Sequence, residues 1–157
     1  MEKAKLLLQT FDAQLTELKI APKCLHTKVS YKLKMYDEDT GRRVARVMRF
    51  EDVAAIGFHM NYFDCMTGSE VCGFYEILAR EKKVELLEEN FIRRRDDFLF
   101  PGDYSCDEED PHDLLNYREP VEDVLREIDQ YRMFQQQTTG GTYTLLAKRW
   151  MIEERCG

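Results

Sequence analysis

Apolar side chains recur at steps of three and four through the first eighteen residues, at Ala4, Leu7, Leu8, Phe11, Leu15 and Leu18. That spacing lays one stripe along a helix face and predicts an N-terminal helix. Pro22 stops it, because the residue before a proline is driven out of helical backbone angles. The period then changes. Val29, Tyr31, Leu33 and Met35 alternate with Lys28, Ser30, Lys32 and Lys34, the pattern of a strand with one buried and one solvated face. Residues 37–41 supply turn chemistry, with Gly41 able to take a positive φ, and residues 42–50 return as a second strand carrying Val44, Met48 and Phe50. Arg46 interrupts that apolar face, which calls for a bulge or an edge position.

The run from Val53 to Phe58 is too short for a helix and reads as a buried strand. Residues 61–69 read as a loop, and Cys72 to Leu78 as a fourth strand rich in residues that suit a pleated surface. Residues 81–90 turn helical, with Val84, Leu86 and Leu87 among Glu and Lys, and Asn90 placed to end the helix. Residues 93–97 are a charge run. Asp110-Pro111-His112-Asp113 has the composition of a helix start, leading to a short helix through Tyr117. Pro120 opens the last helix, in which Val121, Val124, Leu125, Ile128 and Tyr131 hold helical spacing. Residues 135–141 read as a polar turn, and residues 142–150 alternate as a final strand. The order predicts one α+β domain over residues 1–157: a mainly antiparallel sheet of about five strands with helices packed on one face. The last strand must return to pair with one of the first four.

Composition narrows the function classes. The chain has 157 residues, a size that suits one core, and a net charge of −7. The charge is uneven: residues 1–49 carry 11 Lys/Arg and 6 Asp/Glu, whereas residues 50–157 carry 12 and 24. A chain of this sign is repelled by bulk nucleic acid and by anionic lipid. No apolar run approaches the roughly 20 residues of a membrane span, and no secretory signal is visible. The five cysteines, Cys24, Cys65, Cys72, Cys106 and Cys156, include no C-x-x-C pair. Neither a zinc ribbon nor a thioredoxin-like site is signalled, and an odd number without a signal peptide fits reduced thiols in the cytoplasm.

Candidate chemistry is sparse. His59, Cys65 and Cys72 fall close together, with Cys106 as a fourth donor of the kind zinc accepts, but the spacing matches no standard knuckle. Six carboxylates between Asp103 and Asp113 suit calcium in kind, yet no glycine stands among them as a calcium loop requires. His112 beside those carboxylates suits a general acid, while His26 and His59 stand in other segments. No cofactor is implied, no metal site is assigned, and the reading leans away from an enzyme.

Recognition by surface is better served. Tyr62, Phe63 and Met66 stand in a loop, where aromatics and methionine are residue types that anchor interfaces. Asp103, Asp107, Glu108, Glu109 and Asp110 would steer a partner with a basic surface. The expected function is a small acidic cytoplasmic binding module docking on a basic protein, the combination of size and charge seen in immunity and inhibitor proteins. Two alternatives stand beside it. One is a metal-assisted hydrolase using the carboxylates of residues 103–113 with His112. The other is a small-ligand domain whose pocket, between helices and sheet, is lined by Tyr31, Tyr75 and Trp150.

Overall fold

A computed structural model describes residues 3–10, 12–37, 39–60, 69–98, 109–110, 112–113, 116–139 and 141–155. Its N-terminal segment is extended, not helical: Ala4–Leu8 is strand β1 and Ala13–Ala21 is strand β2. Ladder irregularities explain the misleading spacing. The register slips between Leu6 and Leu8 and again between Leu15 and Glu17. An extra residue turns a two-residue step into a three-residue one, so Leu15 and Leu18 both pack on the same core and imitate a helix stripe. Between the strands the chain turns at Asp12, φ +62°, and the Ala13 N–H donates to the Thr10 carbonyl at 3.1 Å.

Strands β3 (Thr27–Tyr36) and β4 (Arg43–Met60) form the predicted hairpin, with Gly41 at φ +66° in its turn. At eighteen residues, β4 contains both the second and the third predicted strands. Glu51-Asp52 reads as a boundary in the sequence but is an irregularity within the strand. Asp52 lies at φ +52°, and the ladder to β3 slips opposite it, between Thr27 and Val29. The remaining described elements are β5 (Ser69–Ile77), α1 (Arg80–Phe98), α2 (Glu119–Arg126), a 3-10 turn (Ile128–Gln130), β6 (Arg132–Thr138) and β7 (Gly141–Arg155). Helix α1 continues through Asn90 and the charge run. The Asn90 side chain clips α1 to β4, accepting from the Ile56 N–H at 3.1 Å and donating to the Ile56 carbonyl at 2.9 Å. In place of the short helix expected after Asp110, the described residues form turns, with the His112 N–H on Asp110 Oδ1 at 2.9 Å. The expected polar turn over residues 135–141 is mostly strand β6.

Among the described residues all pairings are antiparallel, in line with the mainly antiparallel sheet predicted, but the sheet has seven strands instead of about five. Its order is β1-β5-β2-β3-β4-β7-β6, and β6 also pairs with β5. That last pairing closes the sheet into a barrel. Strands β1 and β2 share one edge of β5 end to end, along Phe74–Ile77 and Ser69–Val71 respectively. The returning strand β7 pairs with β4, from Ala45↔Arg155 to Met60↔Gly141.

The barrel interior is packed with rings. Tyr31 stacks on Phe50 at 5.7 Å, Phe74 on Phe134 at 5.7 Å, and Trp150 meets Phe74 edge-on at 5.1 Å. Full burial of each large apolar side chain contributes about 1.5–3 kcal/mol, which makes this cluster the main favourable term. Gln136 is fully buried among them. The Tyr31 O–H donates to its Oε1 at 2.9 Å, and its Nε2 donates to Thr10 Oγ1 and to the Gly73 carbonyl, both at 3.0 Å. Outside the barrel, Leu86, Leu87, Val121, Val124 and Ile128 pack on Ala55, Met133 and Leu146, so both helices cover the β4–β7–β6 flank. Gly57 permits that approach, since a Cβ there would lie 3.1 Å from Leu86 Cδ1.

Arg46 occupies neither a bulge nor an edge. It pairs in unbroken register with Leu33 of β3 and Glu154 of β7, on the inward side of β4 near one end of the barrel. No described helix is long and apolar enough to cross a membrane.

Candidate functional site

The strongest charge in the sequence lies between β5 and β6. Residues 80–130 hold 17 Asp/Glu against 8 Lys/Arg, a net −9. Helix α1 is itself neutral, with 6 Asp/Glu and 6 Lys/Arg, and α2 is −2, so most of the excess belongs to the connection 99–118, net −5, and to Glu127 and Asp129. Among the described residues, Glu81, Glu85 and Glu89 are exposed on α1, Glu119 and Glu122 on α2, and Glu109 and Asp110 on the connection. Arg118 ties the layer together, at 2.6 Å from Glu88 and 3.6 Å from Glu122, with its guanidinium 4.6 Å from the Phe91 ring centre. Lys148 pairs with Glu127 at 2.8 Å, and Arg80 with Asp129 at 3.4 Å. Of the residues the sequence points to, Glu109 and Asp110 are exposed in the connection, where the Asp110 carbonyl accepts from Asn116 Nδ2 at 3.0 Å. The Asp110 carboxylate also serves its own turn by accepting the His112 N–H. Tyr62, Phe63, Met66, Asp103, Asp107 and Glu108 fall outside the described residues.

The opposite flank has the other sign, more weakly. Lys28, Lys32 and Lys34 alternate with buried residues along β3, and Lys19 and Arg49 stand on the neighbouring strands, beside Ser30 in the paired register. Glu17 pairs with Lys19 at 3.1 Å and Glu153 with Arg49 at 3.1 Å, so part of this positive charge is neutralised in place.

The alternative sites do not assemble as expected. Tyr31, Tyr75 and Trp150 line no common pocket between helices and sheet. Tyr31 and Trp150 belong to the barrel interior, while Tyr75 follows inward-facing Phe74 in β5 and therefore takes the other face. The cleft that does lie between helices and sheet measures about 340 Å³ and is bordered by Leu25, Ala54, Asn90, Phe91, Val121 and Val124. His59 is exposed beside Lys82, Glu85 and Glu89 in a smaller cleft of about 210 Å³. Cys65 and Cys106 are outside the described residues, and among the described residues no three His, Cys, Asp or Glu side chains converge as a metal would need.

One polar cluster has no counterpart in the sequence reading. His26 Nδ1 lies 3.0 Å from Asp52 Oδ1, and Arg149 reaches Asp52 Oδ2 and Glu51 Oε2, each at 3.1 Å. The hydrogen bond with His26 is the main cause that holds the Asp52 carboxyl below the usual carboxylate range; burial opposes it, and the attraction of Arg149 adds a smaller downward effect. His26 comes from a turn, Glu51 and Asp52 from an irregular stretch of β4, and Arg149 from the distant strand β7, so no local motif announces them.

No family model, no curated protein and no solved structure matches this chain.

Proposed function

We propose that this protein is a binding module that docks on a partner with a basic surface through its helix-bearing flank. What carries the reading is the net −9 of residues 80–130, most of it in the connection between the two helices and in the residues just after α2. The lysine-bearing flank is the competing surface. It offers five cations, Lys19, Lys28, Lys32, Lys34 and Arg49, against Glu17, Glu51 and Glu153, so its net charge is small beside the acidic one. Long-range attraction scales with net charge and steers encounter with an oppositely charged protein. Glu109 and Asp110 supply part of that field, and Asp103, Asp107 and Glu108 add charge in the same connection. Tyr62, Phe63 and Met66 serve in this reading as apolar anchors that hold the partner once it has arrived. The setting is the cytoplasm, where the cysteines stay reduced, and the mode of action is that of an inhibitor or immunity protein.

Affinity capture on the immobilised protein at low and high salt, with identification of what is retained, tests the reading. A specific partner of basic surface should be held at low salt and released as salt rises. Reversing Glu109, Asp110, Glu119 and Glu122 to lysine should abolish its capture. The variant Y62A/F63A should lose the partner while its circular dichroism is unchanged. Capture indifferent to both salt and charge reversal would sink the proposal.

A further inference from the structure

The end of the barrel next to Arg46 has the form of a ligand site. A cleft of about 450 Å³ opens there, within the size range of small-molecule pockets, and Leu8 and Met35 give it apolar walls. Arg46 enters it from the inward side of β4, where the neighbouring inward residues are Val44 and Met48 and the facing one is Leu33. One guanidinium nitrogen, Nη2, lies 2.9 Å from the largely exposed Glu154. Another, Nε, is buried with no acceptor among the described residues. A buried N–H without an acceptor is costly, and a planar guanidinium is matched best by a carboxylate that takes two of its N–H groups at once. Asp12, Asp37 and Asp39 stand around the same cleft. The Asp37 carboxylate is partly engaged, accepting the Asp39 N–H at 2.9 Å, while Asp12 and Asp39 are exposed.

These groups together select a charge pattern. A simple anion would meet Arg46 but also three aspartates and Glu154. A simple cation would suit the aspartates and leave the Arg46 Nε unmatched. We propose that the barrel mouth binds a small zwitterion with an apolar body, of the class of apolar α-amino acids: its carboxylate on Arg46, its ammonium toward Asp12 and Asp39, its side chain against Leu8 and Met35. The site lies on residues other than those of the acidic helix flank, so it stands or falls separately from docking there.

Calorimetric titration of the whole protein with L-phenylalanine and L-leucine tests this, alongside N-acetyl-L-phenylalanine, which lacks the ammonium, and phenethylamine, which lacks the carboxylate. Saturable binding of the amino acids is expected, with each truncated probe weaker by about tenfold or more, the usual effect of losing a charge-assisted contact. R46M should lose a similar factor for the amino acids. D12N/D39N should weaken them while strengthening N-acetyl-L-phenylalanine. If R46M does not fold by circular dichroism, R46K, which keeps the charge but lacks the Nε donor, takes its place. Absence of saturation up to about 10 mM, or equal affinity in the arginine and aspartate variants, would overturn the site.

Discussion

At the scale of single residues, Gln136 does most to fix this interior. A buried amide costs free energy unless its donors and acceptors are matched, and this one is matched on three sides, by Tyr31, Thr10 and Gly73. Those partners come from β3, from the turn between β1 and β2, and from β5, so one side chain joins three parts of the barrel wall. Gln136→Leu strands the Tyr31 hydroxyl, the Thr10 hydroxyl and the Gly73 carbonyl together, and should cost about 3 kcal/mol in denaturant unfolding. Tyr31→Phe leaves only the amide oxygen without its donor and should cost about 1 kcal/mol. The double variant should then be less destabilised than the two single losses added, because the Tyr31–Gln136 bond can be lost only once. A second residue-scale outcome concerns pH. Arg132 grips Glu76 with two hydrogen bonds, at 2.9 and 2.5 Å, and these hold the Glu76 carboxyl below its ordinary range despite partial burial. A carboxyl lowered in the folded state stabilises it above the unfolded pKa, and that contribution fades as pH falls through the folded value. Glu76→Gln should therefore be less stable than the parent at neutral pH, by about 1 kcal/mol, and the two should converge as the pH falls below the ordinary glutamate range. Neither residue is conspicuous in the sequence. Gln136 sits in a run of three glutamines whose composition reads as turn, and only its enclosure by rings from distant strands gives it a structural part.

Among the elements, those with uninterrupted periodicity are the ones the sequence discloses. Strand β3 keeps its two-residue alternation from Val29 to Met35, with lysines outward, and it forms where the pattern puts it. Strands β1 and β2 do not keep theirs. The slips at Leu6/Leu8 and Leu15/Glu17 insert the odd steps that a helix would also produce, and local spacing cannot separate the two. Strand β4 is broken on paper for a related reason, since two charged residues at its irregular point resemble a loop. Helix α1 is legible in its first half from Val84, Leu86 and Leu87, and its contact with the barrel depends on Gly57. Gly57→Ala would bring a methyl group to 3.1 Å from Leu86 Cδ1. The leucine end must shift to admit it, so a loss of about 1 kcal/mol is expected, offset in part when Leu86→Val is added, as paired melting curves would register.

For the molecule as a whole, the charge asymmetry is visible in the sequence, but its placement is not. The acidic bias of residues 80–130 resides mostly in the connection between the two helices, and only the fold shows that the helices flanking it cover the same three strands. Closure is the feature furthest from view. It depends on Ile77 meeting Met133 and Val71 meeting Thr138, contacts that no window of neighbouring residues encodes. The same limit applies to the candidate sites. Glu109 and Asp110 are legible because a dense acidic stretch stands out anywhere, whereas Arg46 looks like a flaw in a strand until the barrel gives it an inside. Closure has one more consequence. Where an open sheet offers unsatisfied backbone to any passing chain, here the described ladder joins hands with itself, and the five-residue β1 is attached to β5 along one side only. Lys3 and Lys5 project there into solvent. A second copy trying to add itself, strand upon strand, would have to bury those ammonium groups against its own, which favours dispersal of the protein in a crowded solution over fibrillar stacking.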